Sequence, residues 1–201
     1  MHSDLVHAFH ILPRRYLGMA VIAGGAAANY QKADDIDIWV LGINDDNKLE
    51  MFIAALKAAN IPGIKFVEDQ TDGEETLPYE NNWNNVIVAD IPGGISIPND
   101  SIFDFEQTTK PIQIMASVFM NAFDLLNDFD LSTHAIGYGS DGSIFKATGW
   151  TGLADSPKVI SDPISPDRTL SRYRRFCLRY GLAPDINELV KLCTMPDPEK
   201  A

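Results

Sequence analysis

A chain of 201 residues, 45% hydrophobic and 22% charged, has ordinary globular composition and length for one sizeable core. No apolar run reaches the roughly 20 residues needed to span a bilayer, and the polar MHSD start is unlike a basic leader, so a cytoplasmic protein without a membrane partner is expected. A formal net charge of −12 repels phosphate backbones at long range and excludes a broad nucleic-acid surface.

In chain order, Ser3 or Asp4 is placed to cap a first helix running through Phe9 to Leu12, with Pro13 closing it. The apolar run Met19 to Ala23 ends at Gly24-Gly25, which predicts a buried strand entering a tight turn where the backbone approaches something closely. Asp35, Asp37 and Trp39 then alternate with Ile36, Ile38 and Val40. Strand side chains two apart share a face, so Asp35 and Asp37 stand side by side, while Asp34 falls on the other face as a solvated or turn residue. Two carboxylates so close repel each other, raise one pKa and favour a hard divalent cation between them, Mg²⁺ or Mn²⁺.

Asp45 to Asn60 reads as a helix, with Leu49, Ile53, Leu56 and Ala59 at helical spacing, and Ile64 to Val67 as a strand. Glu68 to Asn85 is acidic and turn-rich, a lid or a solvated insertion. Val86 to Ala89 reads as a strand, the stretch to Asp104 as loop, Pro111 to Met115 as a strand and Ser117 to Leu126 as a helix. Leu131 to Tyr138 and Ser143 to Thr148 flank the turn Gly139-Ser140-Asp141-Gly142 as a hairpin.

Ser165-Pro166-Asp167 opens a helix that carries five of the seven arginines. Arg168, Arg172, Arg175 and Arg179 share one face, suited to balancing an acidic surface or to a triphosphate or RNA contact, and Leu170, Tyr173, Cys177 and Tyr180 make its apolar stripe. His2, His7 and His10 lack zinc-like spacing and read as surface or packing residues, and His134 alternates within a hairpin strand. Cys177 and Cys193 form no CxxC pattern and read as buried reduced thiols. No Ser-His-Asp arrangement, Walker loop or GxGxxG is present.

Gly-Gly on a turn followed by Asp-x-Asp on the next strand resembles the signature of the DNA polymerase β-like nucleotidyltransferase superfamily. The resemblance implies an α+β (or α/β) fold, a small mixed sheet flanked by helices, with residues 1–160 as the core and 161–201 as a helical extension packed on it. It further implies that Gly24 and Gly25 contact a nucleoside triphosphate; Arg172 and Arg175, from their shared helix face, are candidate nucleotide contacts beside them. Asp35 and Asp37 would hold divalent metal for attack of a hydroxyl on the α-phosphate. A third acid is expected on a neighbouring strand where Gln113 stands, so Asp130, or less directly Asp128, is taken as its substitute. The longer set GGAAAN, DDIDIW, IQIM, NDFDLSTHAIGY and RTLSRYRRFCLRYGL is similar to bacteriophage-borne nucleotidyltransferase-like proteins, although Ala27, Ala28 and Asn29 stand where an Arg-Asp pair often follows. The implied function is transfer of a nucleoside monophosphate from an NTP to an unknown acceptor. The alternative is a catalytically silent protein of that fold, serving as a virion or assembly component with a protein partner or further copies of itself.

Overall fold

The computed structural model describes residues 2–67, 85–94, 96–97, 106–107, 110–161 and 165–196. Only Asn85 of the acidic Glu68 to Asn85 stretch falls among them. The elements in order are α1 (Ser3–Ala8), α2 (Arg14–Leu17), β1 (Ala20–Ala23), α3 (Gly25–Asn29), β2 (Ile36–Val40), α4 (Asp46–Ala58), β3 (Lys65–Phe66), β4 (Asn85–Ile91), β5 (Ser96–Ile97), β6 (Glu106–Gln107), β7 (Ile112–Ser117), α5 (Ala122–Asn127), β8 (Ile136–Gly139), β9 (Ile144–Lys146), α6 (Pro166–Tyr180) and α7 (Ile186–Thr194). Seven strands form one mixed sheet in the order β3-β4-β7-β2-β1-β8-β9, parallel only between β2 and β7. The fold is α+β, the first of the two classes that the resemblance implies. No described helix is long and apolar enough to cross a membrane.

One face of the sheet, carrying Ile22, Ile36, Ile38, Ile91, Ile112 and Ile114, packs on α1 and on the Leu49, Phe52 and Leu56 stripe of α4. The other face, carrying Val21, Ala23 and Leu41, packs on Leu125 and Leu126 of α5. Central β1 is therefore buried throughout, whereas β2 alternates because its second face opens at Asp37 and Trp39. A third cluster, Leu131, Val159, Tyr173, Cys177 and Leu192, fastens α6 and α7 to the rest of the chain. The Tyr173 hydroxyl accepts from Asp185 N–H at 2.8 Å, tying the start of α7 to α6.

Several local expectations shift. The first α-helix is capped by His2, whose Nδ1 accepts from Asp4 N–H, and it passes into a 3₁₀ turn at Phe9–Ile11. Asp4 instead meets the Tyr30 hydroxyl. The helix expected from Ser117 starts at Ala122: Ser117 extends β7 opposite Asn85, and the Asn121 side chain caps α5. β5 lies within the stretch read as loop. Cys177 is buried and free as expected, but Cys193 is exposed on α7.

Candidate active site

The site is built where β1 ends beside β2. Gly24 adopts φ +87°, a conformation costly for any residue with a Cβ, and its N–H donates to Ile136 O at 3.2 Å. Ala23 pairs with Asp37 across the antiparallel ladder. A Cβ on Gly24 would lie 3.2 Å from Asp37 Oδ2 and 3.8 Å from Phe129 Cε2. The space that glycine leaves is thus beside the carboxylate as well as open to a ligand. Trp39, two residues beyond Asp37 on the same face, packs its ring 5.6 Å from Phe129, which walls the site with aromatics.

Asp37 is half-buried on β2 and Asp35 is exposed just before the strand. Burial, and then the Asp35 charge, push the Asp37 carboxyl up to about 7, with Arg172 acting in the opposite direction. Asp35 is also raised, by partial desolvation and then by Asp34, with Arg179 and a backbone hydrogen bond opposing. Among the described residues, no hydrogen bond offsets the withdrawal of Asp37 from water. Hard carboxylate oxygens, crowded and under-compensated, fit Mg²⁺ or Mn²⁺, which would reverse both penalties at once.

Gln113 pairs with Asp37 on one side and with Asp90 of β4 on the other, so the three side chains form a row on one sheet face. Gln113 Nε2 donates to Asp90 Oδ1 at 3.0 Å. Asp90 is the acid that sequence reasoning missed, because the predicted strand stopped at Ala89. A bulge between Ile87 and Ala89 shifts the register by one residue and turns Asp90 away from the core face. Simple alternation from Val86 and Val88 would have sent it inward. The only local signal was an acid following directly on the apolar VIVA run.

Asp130 has other partners. Its Oδ2 accepts from Thr169 Oγ1 at 2.6 Å and from Arg172 Nη1 at 2.9 Å, in a nearly dry setting between core and α6. Among the described residues, no three acidic, histidine or cysteine side chains gather closely enough to hold a metal, so Asp130 does not join Asp35 and Asp37 in one such group. It positions Arg172, whose charge is felt at Asp37 and at His134. His134 sits edge-on to Phe176 at 5.0 Å, and burial followed by Arg172 lowers its pKa to about 4, so it is neutral at physiological pH. Asp34 is solvent-exposed as expected, but it pairs with Arg179. Arg175 is exposed one turn beyond Arg172. Gly25 opens the five-residue α3.

No protein-family model and no curated protein matches this chain. A solved structure described as a "tRNA-processing enzyme (apo form I)" is similar in fold, with a TM-score of 0.50 and 13% sequence identity, covering 94% of this chain. The chain spans 45% of the length of that protein. At such low identity the likeness concerns the fold alone, and nearly all of this chain takes part in it.

Proposed function

We propose that the chain is a metal-dependent nucleotidyltransferase that moves a nucleoside monophosphate from an NTP to an acceptor group. The observation that carries this reading is Asp37: a carboxylate held on a central strand against the Gly24 turn, beside Asp35, raised to about 7 with, among the described residues, the Arg172 charge alone opposing the shift. Asp35 and Asp37 would hold the divalent cation, with Asp90 and Gln113 alongside in the same row. When bound, the cation supplies charge neutralisation and alignment of the α-phosphate with the attacking hydroxyl.

The chain's own residues supply the rest. Gly24 keeps side-chain bulk away from the phosphates, and Gly25 opens α3 beside it. Arg172, fixed at 2.9 Å by Asp130 and backed by Thr169, is a pre-aimed cation for triphosphate oxygens. Phe129 and Trp39 exclude water from one side. The rate enhancement expected of such a site comes mainly from positioning and electrostatics.

Calorimetric titration of ATP, GTP, CTP and UTP, with and without Mg²⁺, tests this. Metal-dependent binding that disappears in Asp35→Asn/Asp37→Asn is expected. If no nucleotide binds, the second reading takes over: a catalytically silent protein of this fold serving a phage virion or assembly. The neutral Gln113 at the third acidic position is what favours that reading.

A further inference from the structure

The strongly acidic chain gathers its cations along one edge. Arg168, Arg172, Arg175 and Arg179 project from one flank of α6 over roughly 16 Å of helix axis. Arg172 and Arg179 turn toward the site, to Asp130 and Asp34. Arg168 and Arg175 stay exposed, and among the described residues neither enters an ion pair or hydrogen bond. The line continues beyond the helix. Lys32 Nζ donates to Arg179 O at 3.0 Å and lies 4.6 Å from the Tyr180 ring centre. Lys110 Nζ donates to Ala33 O at 2.5 Å and lies 5.0 Å from the Tyr30 ring centre. Six cations and two half-buried tyrosines thus follow one another past the segment that carries Asp34 and Asp35.

We propose that this edge is a phosphate track for single-stranded nucleic acid, with Arg168, Arg175 and Lys32 as the groups that meet the backbone. Unpaired guanidinium groups spaced along a helix suit successive phosphates, while the Tyr30 and Tyr180 rings, stacked on His2 and Phe176, brace Lys110 and Lys32 in the line. A net charge of −12 repels a duplex laid across the rest of the surface, so the track admits one strand along one edge. A small anion uses one or two of these cations and leaves the others unexplained. The proposal goes beyond nucleotide chemistry at Asp37 and stands without it.

The test is fluorescence anisotropy of labelled single strands of about twelve nucleotides, RNA and DNA, against the full chain in chelator and without NTP. Expected is binding at about 50 mM salt that weakens linearly in log–log form toward about 200 mM. Arg168→Gln/Arg175→Gln should lower the magnitude of that slope by about 1.4, at roughly 0.7 per lost phosphate contact, and weaken binding on the order of tenfold. Lys48→Gln/Lys57→Gln on α4, a helix outside the line of cations, makes the same charge change and should leave the slope as it is. No binding at low salt, an equal loss in the α4 control, or equal competition by inorganic polyphosphate would each overturn the track. Strand binding that persists when the NTP titration fails would retain the track and remove the nucleotidyltransferase reading instead.

Discussion

Asp37→Asn should stabilise the metal-free protein above neutral pH. The folded carboxyl titrates at about 7 against an ordinary value of 3.8, so the folded state holds a proton that the unfolded chain releases. Between those values the unfolded state binds fewer protons, and stability falls as pH rises. The penalty is absent below pH 3.8, accrues through pH 7 and is constant above it. About three units at about 1.4 kcal/mol each set a ceiling near 4 kcal/mol, which partial solvent access reduces to about 2 kcal/mol. For a chain of this size that corresponds to a melting temperature higher by about 4–8 °C. The assay is thermal unfolding of wild type and variant in chelator at a series of pH values from 4 to 8, read as the difference between the two proteins. Added Mg²⁺ should raise the wild-type melting temperature at pH 8 and leave the variant unmoved. A variant that melts at or below wild type at pH 8 in chelator refutes the reasoning, because Asp37 would then carry no electrostatic strain.

Three further outcomes follow from the same geometry. Gly24→Ala forces a Cβ into a φ of +87° and to 3.2 Å from Asp37 Oδ2, and should cost about 1–3 kcal/mol in urea unfolding together with loss of nucleotide binding. Asp130→Ala leaves the buried Thr169 hydroxyl and Arg172 without their shared acceptor and should cost about 1–3 kcal/mol; Mn²⁺ uptake by the Asp35–Asp37 pair persists while NTP affinity falls. Gly137→Ala places a Cβ 2.7 Å from Val21 Cγ1, with Ile22 O at 3.2 Å, and should destabilise the β1–β8 pairing by about 1–3 kcal/mol in the same assay.

The β1–turn–β2 unit was legible from sequence because its signals are local: an apolar run, two glycines and a strict alternation around Asp35 and Asp37. Helix α6 was equally legible from Pro166 and its two opposed stripes. What escaped depended on partners distant in the chain. Asp90 reaches the site row only through a bulge set by pairing with β7, which no alternation within β4 reveals. Asp130 is held by Thr169 and Arg172 from α6, so its role follows from a docking that sequence spacing does not encode. Asp34, solvated by its own parity, is drawn into an ion pair by Arg179, 145 residues away. Ser117 reads as the start of a helix until the edge of β4 claims it for the sheet.

The most direct test of the central claim is uptake of Mn²⁺ by the purified chain, followed by electron paramagnetic resonance with and without NTP. The account predicts saturable Mn²⁺ binding that tightens when NTP is added and is lost in Asp35→Asn/Asp37→Asn with the fold intact. Mn²⁺ uptake that is absent, or equal in wild type and double variant, would contradict it.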